Sequence, residues 1–80
     1  MTIKTIAATI PGVLYRRPSP EQPPFRSDGD KIAVGDTLAL IEVMKTFNSV
    51  VAEESGTLVR FFVDDEGMVM PDDPLYEIEV

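Results

Sequence analysis

The spacing of apolar and polar residues predicts short β-strands separated by turns. In the C-terminal segment LYEIEV, Tyr76, Ile78 and Val80 alternate with two glutamates, which is the two-residue period of a half-buried strand. The segments TLALIEV (residues 37–43) and TLVRFFV (residues 57–63) are largely apolar and rich in β-branched or aromatic residues, as strands with buried faces are. No segment sustains the 3.6-residue period of a helix, so the chain is predicted to be all-β.

Turn-forming residues separate these segments at regular intervals. They occur at Pro11-Gly12, Asp28-Gly29-Asp30, Gly35-Asp36, Ser55-Gly56, Glu66-Gly67 and Asp72-Asp73-Pro74. Such alternation of short strands and turns is typical of a β-sandwich or a β-barrel. Because eighty residues suffice for one small core, we expect a single domain over residues 1–80.

The chain contains an internal repeat. Residues 29–43 align with residues 66–80 at an offset of 37 positions, and PGVL (residues 11–14) resembles SGTL (residues 55–58). Apolar residues meet apolar residues along most of this alignment, and two acidic pairs also coincide, Asp36 with Asp73 and Glu42 with Glu79. Two similar β units in tandem predict a sandwich with pseudo-twofold symmetry.

The first unit carries seven extra residues within YRRPSPEQPPF (residues 15–25). This segment contains four prolines, at positions 18, 20, 23 and 24. Since proline has no amide hydrogen to give to a β-ladder, the segment is predicted to be a loop that projects from the first unit.

Composition and charge exclude several classes of function. The chain has no cysteine and no histidine, which removes disulfides, thiolate metal sites and the commonest general base and zinc ligand. The net charge of −7 argues against a nucleic-acid partner. No apolar run is long enough to span a membrane and no signal-peptide pattern begins the chain. We therefore expect a cytoplasmic protein with no metal, no nucleic acid and no membrane partner.

Lys45 lies at the junction of the two repeat units, between one strand signal ending at Val43 and another beginning near Phe47. The chain must reverse there, so Lys45 is predicted at a hairpin tip. A lysine in that place is accessible to a modifying enzyme and is held by strands on both sides, which suits covalent attachment. From placement alone, an ordinary solvated lysine is the plainer interpretation.

The residues around Lys45 favour attachment. EVMKT (residues 42–46) resembles the E-A-M-K-M attachment motif of biotin carboxyl carrier proteins. Further segments match the family in order: PGVLYRRPSPE, GDKIAVGDTLALIE, NSVVAEESGTLV and DDPLYEIEV. The proline-rich loop falls where carriers of the acetyl-CoA carboxylase type have a short "thumb", expected here within residues 16–25. Val43 and Thr46 depart from the motif, which has alanine and methionine at those positions.

The resemblance implies a fold and a site. The fold would be a flattened β-barrel or sandwich of two four-stranded antiparallel sheets with pseudo-twofold symmetry. Biotin would be attached covalently to Lys45, flanked by Met44 and Thr46. Glu42 either matches the family glutamate that sets the hairpin and ligase recognition or is a solubilising strand-end acid. No catalytic residue and no metal ligand is implied.

The resemblance also implies a function. The chain would be the non-catalytic biotin carboxyl carrier subunit of a biotin-dependent carboxylase, most similar to acetyl-CoA carboxylase. A biotin protein ligase would load Lys45, and the carrier would then move a carboxyl group from a biotin carboxylase subunit to a carboxyltransferase subunit. The alternatives are a lipoyl-type acyl carrier and an unmodified β-sandwich interaction module.

A few other side chains carry structural expectations. Phe47 is expected in the core, and Met68 and Met70 are expected to pack against the fold. Arg16 and Arg17 either dock a partner through the thumb or are solvated charges, and solvated charges are the plainer interpretation.

Overall fold

Eight short strands build the part of the chain that the computed structural model describes, residues 2–80. They are β1 (Ile3–Ala7), β2 (Gly12–Tyr15), β3 (Lys31–Ile32), β4 (Thr37–Val43), β5 (Thr46–Val51), β6 (Gly56–Phe61), β7 (Gly67–Val69) and β8 (Pro74–Glu79). The predicted all-β class is confirmed. Over residues 2–80 there is no helix that could cross a membrane.

The strands form two antiparallel sheets of four. The terminal sheet has the order β1-β8-β6-β3, and the hairpin sheet has the order β5-β4-β2-β7. No ladder joins an edge strand of one sheet to an edge strand of the other within the described residues. The expected sandwich of two four-stranded antiparallel sheets is therefore confirmed, and it is not a closed barrel.

The two sheets are related by the predicted repeat. Exchanging β1–β4 with β5–β8 converts the strand order of one sheet into that of the other. The residue pairing follows the same rule: Val13 faces Glu42 in the hairpin sheet, and their repeat equivalents Thr57 and Glu79 face each other in the terminal sheet. The pseudo-twofold symmetry extends to the register of individual residues.

The buried core obeys this symmetry completely. Among residues 2–80 the twelve buried apolar side chains form six repeat-equivalent pairs: Ala8 with Ala52, Leu14 with Leu58, Ile32 with Val69, Leu38 with Leu75, Ala39 with Tyr76, and Ile41 with Ile78. Each sheet thus contributes matching side chains to one shared interior. Burial of these apolar surfaces is the main force that holds the sheets together.

Two glycines allow the central strands of each sheet to approach closely. A Cβ atom on Gly12 would collide with the carbonyl oxygen of Glu42, and a Cβ atom on Gly56 would collide with that of Glu79. These are equivalent positions in the repeat. The shared Gly of PGVL and SGTL is therefore a steric requirement of the fold.

Two aspartates close equivalent turns before β4 and β8. Asp36 Oδ2 accepts a hydrogen bond from the Ala33 amide at 2.9 Å, and Asp73 Oδ2 accepts one from the Met70 amide at 2.9 Å. The bond from Ala33, together with Arg26 at 3.3 Å, holds the pKa of Asp36 below its usual value, although partial burial opposes this. The match between Asp36 and Asp73 in the sequence repeat is thus a pair of turn caps.

Candidate functional site

Lys45 lies at the tip of a two-residue hairpin, as predicted. Val43 and Thr46 are the last paired residues of β4 and β5, and Met44 and Lys45 form the turn between them. Both turn residues have positive φ, 49° for Met44 and 66° for Lys45. This is the pattern of a type I′ turn, which normally takes Asn-Gly because non-glycine residues resist that conformation. The flanking strands therefore hold Met44 and Lys45 in a backbone conformation that is unfavourable for residues with a Cβ atom.

The Lys45 amine is directed to solvent and is not neutralised by the fold. Met44 is 93% exposed, and Lys45 and Thr46 are exposed beside it. Within residues 2–80 no carboxylate lies within ion-pair distance of Lys45, whereas Lys4 pairs with Glu54 at 2.7 Å. The amine is therefore accessible, and its backbone is fixed by the hairpin.

Glu42 is a bound, half-buried carboxylate below the tip. Tyr15 donates a hydrogen bond from Oη to Glu42 Oε1 at 3.0 Å. This bond, followed by burial and the nearby charges of Glu42, Glu66 and Asp65, raises the pKa of Tyr15. Glu42 therefore has a structural partner that ties β2 to β4.

Phe47 is not in the core, contrary to expectation. It faces Glu42 across the β4–β5 ladder and is 57% exposed, with its ring centroid 6.0 Å from that of Tyr15. Each strand of a two-sheet sandwich has one face that points away from the interior, and Phe47 lies on that face of β5. The alternate residue Val50 is the one that packs against the core.

Asn48 joins both strands of the hairpin. Its Nδ2 atom donates to the carbonyl oxygen of Ile41 at 3.3 Å and to that of Thr46 at 3.4 Å. Sequence reasoning did not predict this contact. An asparagine that follows a predicted tip by three residues is the signal that could have indicated it, because its amide can bond nearby backbone carbonyls.

The proline-rich loop, residues 16–25, folds back on itself beside the hairpin sheet. The Phe25 amide donates to the Arg16 carbonyl at 2.9 Å and closes the loop. Asp65 anchors its base: Oδ1 accepts from the Arg16 amide at 2.7 Å, and Oδ2 lies 3.6 Å from Arg17 Nε. The loop and the sheet enclose a groove of about 200 Å³, lined by Tyr15, Arg17, Pro18, Ser19, Pro20, Leu40, Phe47, Asp65 and Glu66.

The two loop arginines are held by the fold, and their expected solvation was wrong. The Arg16 guanidinium lies 4.4 Å from the centroid of the Phe61 ring and 3.7 Å from Asp28. Arg17 is half-buried against Asp65. Both side chains orient the loop against the sandwich.

The sequence matches a known family over almost its whole length. The biotin/lipoyl family, described as "biotin-requiring enzyme", matches residues 4–78. Similar curated proteins include the biotin carboxyl carrier protein of acetyl-CoA carboxylase 2, chloroplastic, from Arabidopsis thaliana, with 42% identity over 84% of this chain and 26% of that protein. The biotin carboxyl carrier protein of acetyl-CoA carboxylase from Haemophilus influenzae is 38% identical over 85% of this chain and 44% of that protein. The chain spans less than half the length of these relatives.

Solved structures share the fold at lower identity. The Kluyveromyces lactis urea carboxylase matches with a TM-score of 0.78 and 23% identity, over 99% of this chain and 6% of that one. A single-chain, multi-domain long-chain acyl-CoA carboxylase also matches with a TM-score of 0.78, at 21% identity, over 94% of this chain and 7% of that one. With its match over residues 4–78 and its symmetric sandwich, the chain belongs to the biotin/lipoyl family.

Proposed function

We propose that the chain is the biotin carboxyl carrier of a biotin-dependent carboxylase, with biotin attached covalently to Lys45. The observation that carries the proposal is an exposed lysine without an ion-pair partner in residues 2–80, fixed at the second position of a two-residue turn. The names of the relatives support biotin as the attached group. Residues 1–80 form one biotinyl domain in this proposal, with the thumb within residues 16–25.

The hairpin suits attachment through the lysine amine. The Lys45 Nζ atom attacks an activated biotin carboxyl group, an amide bond forms, the leaving group departs, and the amine gives up a proton. The activated biotin has to be delivered to the amine by another protein. A biotin protein ligase is therefore the required partner. Met44 and Thr46, which flank the amine, lie within its reach.

The chain itself contributes position. Attached biotin supplies the chemistry of a carboxyl-group carrier. The hairpin keeps the attachment atom away from the body of the sandwich, and tethering raises the effective concentration of the carried group at each site it visits. This domain is thus a non-catalytic carrier that visits a biotin carboxylase and then a carboxyltransferase.

The carboxyl acceptor is proposed from the relatives. Those with the proposed role belong to acetyl-CoA carboxylases, so acetyl-CoA is the acceptor we propose. A cytoplasmic location belongs to the same proposal. The roles of Glu42 as a support of the hairpin and of the proline-rich loop as a contact for partner or biotin are further parts of it.

Intact mass after co-expression tests the attachment. With a biotin protein ligase and biotin, the wild-type chain should gain one biotinyl group, and Lys45→Arg should gain none. Lys4→Arg and Lys31→Arg are the matched controls and should be labelled like the wild type. A lipoyl adduct in cells that supply both ligases would establish the acyl-carrier alternative. An unmodified wild-type chain would favour the remaining alternative, an interaction module that carries no attached group.

A further inference from the structure

The outer face of the hairpin sheet carries an apolar row next to the Lys45 hairpin. Pairing between strands places four residues in line across β5, β4, β2 and β7: Phe47, Glu42, Val13 and Met68. Three of the four are apolar. Met70 lies two residues beyond Met68, toward the end of the sheet that carries Lys45, and Met44 is in the Lys45 turn itself. We call Phe47, Val13, Met68 and Met70 the hairpin-side apolar row.

Val13 is half-buried, but Met68 and Met70 are exposed, contrary to the expectation that they pack against the fold. Met68 is 78% exposed and Met70 is 56% exposed. In β7 the inward positions are Gly67 and Val69, so the intervening methionine must point outward. Exposed methionines contribute little to folding stability, and contiguous exposed apolar groups are typical of interaction sites.

The pseudo-twofold symmetry provides an internal reference for this row. The equivalent positions in the terminal sheet are Ile3, Glu79, Thr57 and Lys31, with Ala33 in place of Met70. The six core pairs retain their apolar character across the repeat, but Val13 becomes threonine and Met68 becomes lysine. Ile3 and Ala33 remain apolar, so the two sheets differ at Val13 and Met68. The fold therefore does not require apolar residues at those two positions, and only the sheet that carries Lys45 has them there.

We infer that the hairpin-side apolar row is the docking surface for the biotin ligase that acts on Lys45. This inference rests on the proposed function. Before attachment there is no flexible arm, so the ligase must bring its active site to the amine at the tip. The inner side of the hairpin is closed, because Ile41 is buried and Val43 packs against the core. The outer side, along this row, is the apolar surface left open beside the tip.

Charge defines the partner further. Glu42 lies between Phe47 and Val13, and Glu66 is an exposed acid directly before β7. The matching surface on the ligase is therefore an apolar patch bordered by lysine or arginine. A second copy of this chain fits less well, since both copies would carry a net charge of −7.

Steady-state biotinylation kinetics with the ligase of the source organism test this docking surface. Met68→Ser removes the apolar contact, and Met68→Lys installs the residue found at the equivalent position. Lys31→Met makes the reverse change in the terminal sheet and is the matched control. We expect KM for the carrier to rise about fivefold in Met68→Ser and about tenfold or more in Met68→Lys, with kcat unchanged. Lys31→Met should keep the wild-type KM, and melting temperatures should all agree with the wild type.

The possible failures are distinguishable. If the wild type takes no biotin on Lys45, the proposed function is wrong and the docking surface falls with it. If the wild type is labelled normally and both Met68 variants keep its KM, the proposed function stands and the docking inference is overturned. An equal rise of KM in Lys31→Met would also overturn it, because the effect would then not be specific to the hairpin sheet. So would a wild-type dimer that Met68→Lys dissociates without any change in KM.

Discussion

Tyr15 donates its phenolic hydrogen to Glu42 across 3.0 Å, on the outer face of the hairpin sheet and close to the Lys45 turn. Ionisation of Tyr15 would remove this donor and place a second negative charge beside the carboxylate. The pKa of Tyr15 is therefore raised, mainly by the hydrogen bond to Glu42 and secondly by burial. The pair links β2 to the strand that leads directly into the site.

The pair predicts a specific alkaline loss of stability. Since the pKa of Tyr15 is higher in the folded chain than in the unfolded chain, its stabilising contribution is complete below the unfolded value of about 10. The contribution is lost as pH rises through the folded value. Glu42→Gln should lower the Tyr15 pKa toward its ordinary value, as followed by NMR titration of the tyrosine rings. Tyr76, whose pKa is raised mainly by burial, is the control and should shift little. A Tyr15 pKa that does not respond to Glu42→Gln would contradict this account.

The turn residues predict a conflict between stability and function. Lys45 has a φ of 66°, a conformation that costs about 1 kcal/mol for a residue with a Cβ and is free for glycine. Lys45→Gly should therefore stabilise the chain by up to about 1 kcal/mol in urea unfolding, while abolishing biotinylation. Lys45→Arg is the control, with the same stability as the wild type and no label. A Lys45→Gly variant less stable than the arginine variant would show that the turn is not under strain.

The paired glycines predict equal effects at sites far apart in sequence. Gly12→Ala and Gly56→Ala each push a Cβ into a carbonyl oxygen of a neighbouring strand, so each should destabilise the fold by about 2–4 kcal/mol. Gly29→Ala is the control for backbone strain, because its φ is 91° but nothing lies within 4 Å of the added atom. It should cost only about 1 kcal/mol. Thermal or urea unfolding measures all three, and a Gly29→Ala cost as large as the others would remove the steric explanation.

The proline-rich loop is predicted to serve function more than folding. Replacing residues 17–23 with a short Gly/Ser turn removes the half-exposed ion pair between Arg17 and Asp65, whose atoms lie 3.6 Å apart and which is worth at most about 1 kcal/mol. The replacement also opens the groove over Tyr15 and Phe47. We expect a small change in melting temperature and a clear loss in carboxyl transfer. A large drop in melting temperature with unchanged transfer would reverse these roles.

Much of the architecture was predictable because the two halves of the sequence align with each other. Each half must bury its apolar face against the other, so matched residues such as Leu38 and Leu75, or Leu14 and Leu58, become core pairs. The Lys45 tip followed from its position between the halves. Strand β1 was not predicted, since only its pairing with β8 gives it a structural role.

The exposed apolar residues were not predictable from spacing. Phe47, Met68 and Met70 were predicted to be packed side chains. Only the sheet order and the burial of their neighbours show that these side chains point outward. The strand irregularity between Thr37 and Ala39 similarly directs both Leu38 and Ala39 inward, which breaks simple alternation. Which face of a strand is buried depends on its pairing with strands distant in sequence, and the local pattern of apolar residues does not reveal that pairing.

Transfer of labelled carboxyl groups tests the carrier function most directly. The biotinylated chain is incubated with the biotin carboxylase of the source organism, ATP and radiolabelled bicarbonate, and then with its carboxyltransferase and acetyl-CoA. The proposal predicts that label appears first on the wild-type chain and then on acetyl-CoA, and that Lys45→Arg passes none. Label that reaches acetyl-CoA equally well with Lys45→Arg, or a biotinylated wild-type chain that never takes label, would contradict it.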